Sequence, residues 1–235
     1  KVQILADFIA AASHDFRTPL SVINTSAYLL NRIGDDEQRK RHLEQIQEQT
    51  NHIERLIDGL LTMSRLDRGD VFRFKPVNLN AIIQQIEMRK RSHVDEKPLS
   101  FMLELAANLP LISADNGWLH TAITHLIDNA IHFTAAGGSV SVRTCLEHES
   151  AVVVVSDTGS GISPDDLPHI FKRLYRGEGH RPVGGQGLGL SMVSRIVEAH
   201  QGSVEVESQP GVGSTFRIIL PLRRVDTSAA PLPSP

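Results

Sequence analysis

The feature that most constrains the fold of this chain is the helical spacing of apolar residues across residues 3–66. Gly34-Asp35-Asp36 divides this spacing into two stretches, because glycine ends helices and aspartate caps the next one. The second stretch has a heptad stripe: Leu43, Ile46, Thr50, Ile53, Ile57, Leu60 and Ser64. A two-helix hairpin cannot bury so broad a stripe, so we expect two copies to pair as an antiparallel four-helix bundle. A coiled coil that only dimerises is an alternative that the periodicity leaves open.

The sequence changes character after a turn-forming stretch, Leu66-Asp67-Arg68-Gly69-Asp70. Beyond it, short alternating segments that predict strands mix with stretches that predict helices. This mixture predicts an α+β domain with helices on one face of a sheet. We therefore expect a helical hairpin at residues 1–66, a linker at 67–75, a second domain at 76–222 and a disordered tail at 223–235, which is rich in Pro, Ser and Ala.

Composition excludes several classes of function. A net charge of −3 gives no electrostatic case for nucleic-acid binding. The single cysteine, Cys145, rules out an internal disulfide framework and fits a reducing compartment. No apolar run approaches the roughly 18 residues that a membrane span needs, so no direct membrane contact is expected. Because the chain begins at Lys1, we expect a cytoplasmic fragment of a longer protein, whose parent could be anchored in the inner membrane.

One stretch of the first predicted helix carries reactive groups, Ser13-His14-Asp15-Phe16-Arg17-Thr18-Pro19-Leu20. It places an imidazole between a hydroxyl and a carboxylate. Proline inside a helix removes a backbone donor and clashes with the carbonyl four residues back, so we expect a bend beside His14. A histidine presented at a bend is a candidate for chemistry.

The second domain has two glycine-rich stretches typical of ligand contacts. Asp157-Thr158-Gly159-Ser160-Gly161 follows an apolar strand, and it sets a carboxylate acceptor beside backbone that a flat ligand can approach. A tight turn with a solvated aspartate is the alternative. Gly184 to Leu190 runs into a predicted helix, whose N-terminus favours anions. A flexible lid explains these glycines too, and it is compatible with binding.

A third stretch, His125 to Phe133, predicts a helix with an unusual polar face. His125, Asn129 and His132 share that face, whereas Leu126, Ala130 and Phe133 share another. The Asn129 amide offers an oxygen ligand to Mg²⁺, which binds few protein oxygens together with phosphates and water. The two histidines are spaced too far apart for a tight transition-metal pair. The remaining histidines are interpreted as surface or structural residues, His200 among them.

The order of these stretches resembles that of the sensor histidine kinases of two-component signalling. The resemblance runs from about Phe8 to Pro221. Its segments are the phosphoacceptor box at Ser13–Leu20, the N box at His125–Thr134, the first glycine box at Val155–Ile162, the F box at Ile170–Arg176, the second glycine box at Gly185–Leu190 and the closing G-x-G-[ST]-x-F segment at Gly211–Phe216.

The resemblance implies a fold and an activity. The hairpin would form a dimeric four-helix bundle through residues 1–66, followed by an α/β sandwich of the Bergerat type that binds ATP. ATP would phosphorylate His14, which would pass the phosphoryl group to an aspartate in the receiver domain of a response regulator, with a reverse phosphatase activity also compatible. A non-catalytic ATP-binding dimerisation switch is the alternative.

The resemblance also implies roles for individual residues. Beside His14, Asp15 would orient the imidazole, Arg17 would steer phosphate, Thr18 would position a water and Arg176 would meet the γ-phosphate. Asp157 would accept from the adenine amine and Asn129 would ligate Mg²⁺. The other implied nucleotide contacts are His132, Phe133, Gly159, Gly161, Ile162, Tyr175, Gly185, Gly187, Leu188, Gly189, Leu190 and Thr215, with residues 163–186 as the lid.

The chain departs from the family pattern at several of these positions. His125 stands where the family often has an asparagine that helps to bind phosphate or metal, and His132 where a lysine often approaches the phosphates. Phe133 replaces a frequent tyrosine, and Leu174 a frequent aromatic residue. These departures leave Asn129 in place and bear on nucleotide affinity.

Overall fold

The computed structural model describes residues 2–30, 32, 34–69, 72–96, 98–175, 177 and 187–222, with only the backbone described for residues 2–12, 14 and 91–96. The chain divides into two compact units. The first comprises residues 1–67 with 172–188, and the second comprises residues 68–171 with 189–235. The predicted tail, 223–235, lies outside the described residues.

Two long helices dominate the first unit, as the sequence predicts. Helix α1 spans Val2–Leu30 and runs without interruption through Pro19, and helix α2 spans Asp36–Arg68. Asp35 caps the second helix, because its side chain accepts a hydrogen bond from the Glu37 N–H at 3.1 Å. A partly buried polar contact joins the helices, in which the buried Ser26 hydroxyl donates to the side-chain oxygen of the exposed Gln45 at 3.1 Å.

The heptad stripe of α2 divides into two faces. Ile46, Ile53 and Leu60 are half-buried within the single chain, and the neighbouring Leu56 is fully buried. Apolar side chains on the other face remain open to solvent, with exposed fractions of 57% for Leu43, 45% for Ile57 and 54% for Leu61. The apolar stripe of α2 is therefore broad because it consists of two adjacent rows of side chains, here called seams. A single chain buries only the first of these seams and leaves the second exposed.

The second unit is built on mixed strands and helices. Its strands are β1 Lys75–Val77, β2 Ser100–Glu104, β3 Ile112–Ala114, β4 Ser139–Glu147, β5 Ser150–Asp157, β6 Ser203–Gln209 and β7 Gly213–Pro221, and its helices are α3 Leu79–Glu96, α4 Asn116–Phe133 and α5 Gly189–Ala199. Strands β1 and β3 pair as an antiparallel ribbon. The larger sheet has the order β2-β4-β5-β7-β6, and only the β2–β4 pairing in it is parallel.

The two faces of the larger sheet differ in character. Val142, Val155 and Phe216 lie in one row across β4, β5 and β7, all buried on the face that the helices cover. The neighbouring row, on the opposite face, includes the charged Arg143 and Arg217. Arg217 forms ion pairs with Glu147 at 2.7 Å and Glu205 at 3.3 Å on that face. The predicted α+β fold with helices on one face is therefore confirmed.

Helix α4 lies at the centre of the second unit and contacts α3, α5 and β5. Asp115 caps it, with its Oδ1 accepting hydrogen bonds from the Gly117 and Trp118 N–H groups. Apolar side chains along α4 are fully buried: Leu119, Ile123, Leu126 and Ile127. Among the described residues, no helix has the length and apolar character needed to cross a lipid bilayer.

Candidate functional site

The predicted phosphoacceptor box lies in the middle of α1. His14 has helical backbone, and its side chain lies outside the described part of the structure. The side chains around it divide by exposure, with Asp15 half-buried, Pro19 buried, and three exposed polar residues, Ser13, Arg17 and Thr18. The box therefore presents hydroxyl and guanidinium groups to solvent. The predicted bend beside His14 stays a prediction.

Asp157 ends strand β5 and faces the helices. The Gly159 N–H donates to its Oδ1 at 2.8 Å, and the Ser214 N–H donates to the same oxygen at 3.3 Å. Within the described residues, Oδ2 has no hydrogen-bond or ion-pair partner. Burial raises the pKa of the Asp157 carboxyl, although the two backbone donors counteract the shift. Asp157 thus holds one oxygen fixed and leaves the other for a donor outside the protein.

The glycines after Asp157 are required by packing within the protein. A Cβ on Gly159 would lie 2.5 Å from the Phe133 carbonyl oxygen, and one on Gly161 would lie 2.0 Å from the Gln209 carbonyl oxygen. Gly161 also has a φ of 68°, in the left-handed region that side chains disfavour. Next to it, the Ile162 N–H donates to the Ser208 hydroxyl at 2.8 Å. These contacts hold the loop against the backbone around it.

The strand register corrects the predicted role of Thr215. Ser214 pairs with Asp157, whereas Thr215 pairs with Ser156 and its hydroxyl lies 3.0 Å from the Ser156 hydroxyl. Because successive side chains of a strand point to opposite faces, Thr215 lies on the face away from Asp157. There it lines an open cavity of about 460 Å³ together with Arg143 and Arg217. Ser214 is the residue of this segment that contacts Asp157, and the predicted contact of Thr215 with the base does not fit this geometry.

The C-terminal end of α4 contacts the Asp157 loop. The Ser160 N–H donates to the Phe133 carbonyl at 3.2 Å, which joins the loop to the last residue of the helix. Phe133 is 43% exposed, so it does not pack in the core as its predicted face with Leu126 would suggest. Its ring lies edge-on to the His132 ring, with centroids 4.8 Å apart. Asn129 lies one turn earlier, half-buried, and its side chain forms no hydrogen bond with the described residues.

His125 connects α4 to the start of α5. A Cβ on Gly189 would have the His125 ring as its nearest neighbour, with Nδ1 at 3.4 Å. Burial lowers the pKa of His125, and Lys90 lowers it further, while Asp128 raises it. Lys90 and Asp128 form an ion pair of 2.6 Å between α3 and α4. A neutral imidazole therefore lies beside the helix N-terminus at which the sequence predicts anion binding.

Two described residues, Leu174 within the predicted lid and Gly187 directly after it, meet in the first unit. The Leu174 N–H donates to the Gly187 carbonyl at 2.8 Å. Gly187 has a φ of 65°, and a Cβ there would lie 2.8 Å from the Tyr175 carbonyl oxygen. Leu188 is buried, with 1% of its surface exposed. Arg176 and Gly185, both predicted to contact the nucleotide, lie outside the described residues.

The C-terminal half of α4 thus brings several predicted residues of the second unit together. The Asp157 loop contacts it through Phe133, Asn129 lies on the preceding turn, and Gly189 with the half-buried Leu190 begins α5 beside His125. Sequence reasoning missed Ser214, although it follows the glycines of the quoted G-x-G-[ST] pattern. Its importance depends on a backbone N–H, which residue type does not reveal.

Comparisons with known families agree with this arrangement. The family model described as "Histidine kinase-, DNA gyrase B-, and HSP90-like ATPase" matches residues 114–224. The model described as "His Kinase A (phospho-acceptor) domain" matches residues 4–69. The first match includes α4, α5 and the Asp157 loop, and the second includes both long helices.

Curated relatives match nearly the whole chain. Drug sensory protein A of Synechocystis is 34% identical over 225 residues, which cover 90% of this chain and 34% of that protein. The probable sensor histidine kinase TcrY of Mycobacterium tuberculosis is 34% identical over 218 residues, 92% of this chain and 45% of that protein. Sensor protein SrrB of Staphylococcus aureus is 32% identical over 93% of this chain and 38% of its own length. The chain thus spans less than half of the length of these relatives.

Solved structures share the fold. Full-length ShkA in complex with AMPPNP matches with a TM-score of 0.68 and 27% identity, over 92% of this chain and 45% of that one. The Acinetobacter baumannii histidine kinase AdeS matches with a TM-score of 0.69 and 22% identity, over 90% of this chain and 98% of that one. The chain has a phospho-acceptor domain followed by this ATPase domain, and these relatives match it over at least 90% of its length. The protein therefore belongs to the sensor histidine kinases of two-component signalling.

Proposed function

We propose that this chain is the phosphoryl-transfer core of its parent kinase. ATP bound in the second domain phosphorylates His14, and the phosphohistidine passes its phosphoryl group to an aspartate of a response-regulator receiver domain. Two observations together support the proposal. The chain matches both the phospho-acceptor and the ATPase family models, and Asp157 Oδ2, which lies in the ATPase match, has no partner in the described residues. We keep the domain limits of 1–66, 67–75 and 76–222, with a tail at 223–235, as part of the proposal.

Adenine recognition depends on Asp157. A carboxylate only accepts hydrogen bonds, and the exocyclic amine of adenine only donates them, so Oδ2 suits that amine. Oδ1 is already fixed by the Gly159 and Ser214 N–H groups, which hold the carboxylate in one orientation before ligand arrives. Gly161 and Ile162 support the loop, and Phe133 offers an exposed ring at its edge. Recognition by a pre-oriented acceptor costs little ordering entropy.

The phosphates are assigned to the start of α5 and to the lid. Backbone N–H groups of Gly187, Leu188, Gly189 and Leu190 suit phosphate oxygens, because glycines let a phosphate approach the backbone closely and a helix N-terminus is a positive dipole end. His132, Tyr175, Gly185 and Arg176 complete the proposed contacts. A guanidinium at Arg176 would stabilise negative charge as the γ-phosphoryl group moves.

Asn129 is the proposed protein ligand of Mg²⁺. Its amide forms no side-chain hydrogen bond with the described residues, so its oxygen is available. No group of three or more His, Cys, Asp or Glu side chains in the described part of the chain could enclose a metal ion. Mg²⁺ suits a site with few protein ligands, since it binds mainly phosphate oxygens and water. When bound it would neutralise phosphate charge.

Transfer requires an unprotonated ring nitrogen on His14. A histidine near neutral pH is substantially neutral, so one nitrogen has a free lone pair. That nitrogen forms the N–P bond as the bond between the γ-phosphorus and the ADP oxygen breaks, through a loose transition state that depends on positioning. Asp15 would hold the other ring N–H and stabilise the developing charge, and Arg17 would steer the phosphate. Thr18, exposed on α1, would position water for the reverse reaction.

A homodimer through residues 1–66 follows from the uncovered seam of α2. Leu43, Ile57 and Leu61 are each 45–57% exposed in a single chain. Complete burial of an exposed Leu or Ile contributes about 1.5–3 kcal/mol, and about half of that burial is still available to each of these side chains, so a second copy of the hairpin is the natural partner for this seam. The receiver domain would meet the exposed surface around Thr18.

Radiolabelling tests the phosphoryl transfer. Mg²⁺ with γ-labelled ATP should place an acid-labile, base-stable label on the protein, and His14→Gln should abolish it. Asn129→Ala should also abolish labelling if the metal binds there. His148→Asn is the matched control, because His148 is exposed in a turn with a φ of 52°, which asparagine tolerates. Label that survives His14→Gln would overturn the assignment, and nucleotide binding without any label would support the non-catalytic switch.

A further inference from the structure

His200 is buried directly after helix α5, and both of its ring nitrogens are engaged. Only 5% of its surface is exposed. The Asp115 backbone N–H lies 3.0 Å from Nε2, and the Ile196 carbonyl lies 2.7 Å from Nδ1. An N–H can only donate and a carbonyl can only accept, so Nε2 is the acceptor and Nδ1 carries the proton. The contacts therefore select one neutral tautomer of the ring.

The same ring holds the segment Phe72–Phe74, which follows α2 along the chain. The Phe72 ring meets it edge-on with centroids 5.6 Å apart, and the Phe74 centroid lies 5.1 Å away. Phe72 also contacts Trp118 in the first turn of α4, at 5.8 Å between centroids. Residue 73 adds a backbone tie to the same turn, since its N–H donates to Asp115 Oδ2 at 2.7 Å. The segment is thus fixed to the start of α4 through His200 and Asp115.

We propose that neutral His200 is a latch that positions the segment Phe72–Phe74 on the start of α4, and that protonation of its Nε2 releases the segment. A proton on Nε2 would face the Asp115 N–H across 3.0 Å, which sets two donors against each other. The Asp115 carboxylate offers that proton no alternative without rearrangement. Its Oδ1 already accepts from Gly117 and Trp118, and its Oδ2 is held by the residue-73 N–H, so the remaining lone pair of Oδ2 could accept that proton only if the carboxylate or the ring moved.

The charges around His200 give the direction of its response to pH. Burial lowers its pKa, and this effect exceeds the opposing contributions of the Ile196 carbonyl and the Asp115 carboxylate. Arg73 on the segment and Lys75 at the start of β1 are exposed, and Arg195 and Glu198 on α5 pair with each other at 3.4 Å. Because the folded-state pKa is lowered, the latch contributes fully above the ordinary histidine value of about 6.5 and is lost as pH falls through the folded-state pKa.

The latch connects elements that also carry the nucleotide site. Helix α4 begins at the latch and bears Asn129 near its other end, and α5 begins at Gly189 and ends at the latch. The segment that the latch holds follows α2 along the chain, with residues 69–71 between them. His200 is therefore a positioning residue at the entry to the second unit, and this inference does not depend on phosphoryl transfer.

The chain's single tryptophan, Trp118, provides the test, because it contacts Phe72. In the full chain, Trp118 emission should change in one step as pH falls below about 6.5, while far-ultraviolet circular dichroism stays constant. His200→Phe should abolish the step, and His120→Gln, two residues from Trp118, should leave it in place. A step that survives His200→Phe, that disappears with His120→Gln, or that is absent from the wild type would overturn the proposal.

Nuclear magnetic resonance of the unmodified protein tests the latch without a variant. The ¹⁵N shifts of the His200 ring at neutral pH should show the proton on Nδ1 and a bare Nε2. The ring should also titrate below the ordinary histidine value of about 6.5, because burial lowers its pKa. A proton on Nε2 at neutral pH, or a His200 midpoint at or above that ordinary value, would refute the latch even if His200→Phe does not fold.

Discussion

Replacing Asp157 with asparagine separates nucleotide recognition from folding. Asparagine keeps a side-chain oxygen that accepts from the Gly159 and Ser214 N–H groups, at 2.8 and 3.3 Å in the parent chain. The change converts Oδ2 from an acceptor into an NH₂ donor, which then opposes the proposed adenine amine. A hydrogen bond to a charged group contributes about 1.5–3 kcal/mol, and about 1.4 kcal/mol corresponds to a tenfold change in Kd. We therefore expect ATP affinity to fall about 10- to 150-fold.

The same substitution should leave the unliganded protein at least as stable. Burial raises the pKa of Asp157, so the folded protein carries a cost for the charged carboxylate at neutral pH. That cost is present above the raised pKa and disappears as pH falls below the unfolded value, where the carboxyl is protonated in both states. The asparagine side chain of the variant is neutral at every pH. The stability advantage of Asp157→Asn should therefore be greatest near neutral pH and shrink on acidification.

Calorimetric titration with a non-hydrolysable ATP analogue measures the affinity, and thermal unfolding without nucleotide measures the stability. Glu149→Gln is the matched control, because it removes one exposed carboxylate at the opposite end of β5. An Asp157→Asn protein that binds the analogue as tightly as the wild type would refute adenine recognition by this residue. A protein that loses binding only because its melting temperature has fallen would refute the separation of the two roles.

Two further predictions concern packing and assembly. Gly161→Ala should lower the free energy of unfolding by about 2–5 kcal/mol in chemical denaturation, because it combines left-handed backbone strain with a clash against the Gln209 carbonyl. Gly211→Ala is the control, since Gly211 has a similar φ of 76° and open space around it. The control should lower the free energy of unfolding by about 1–2 kcal/mol. Equal losses would show that the Gln209 carbonyl moves aside. Leu61→Glu should convert the proposed dimer to a folded monomer in analytical ultracentrifugation. Met88→Glu, which alters a 74% exposed side chain on α3, should not change the oligomeric state. A Leu61→Glu protein that remains dimeric would place the interface elsewhere.

Most of the secondary structure follows from local sequence patterns. The break at Gly34 and the cap at Asp35 are encoded by residue type, and the strand Ser150–Asp157 contains a run of β-branched residues, Val152–Val155. The helix that the sequence predicts at His125 to Phe133 is present as the second half of α4. Such signals are readable because they involve residues a few positions apart.

The candidate site was only partly predictable. The sequence indicates Asp157 and Asn129 as candidates, because a carboxylate after a strand and an amide on a polar helix face are unusual. It indicates Thr215 rather than Ser214, since a motif gives the order of residues but not which face of the sheet each occupies. The role of His200 needed Phe72 and Asp115, which lie far from it in sequence and meet it only in the folded chain.

The sequence by itself determined the family, the two long helices and the residue types that can carry phosphoryl transfer, because these depend on spacing along one chain. The tertiary structure decided which seam of α2 stays exposed, which oxygen of Asp157 is left for a ligand, and why Gly159 and Gly161 cannot carry side chains. These outcomes depend on backbone groups of distant segments, and every residue type has the same backbone. Only the folded chain shows where those groups meet.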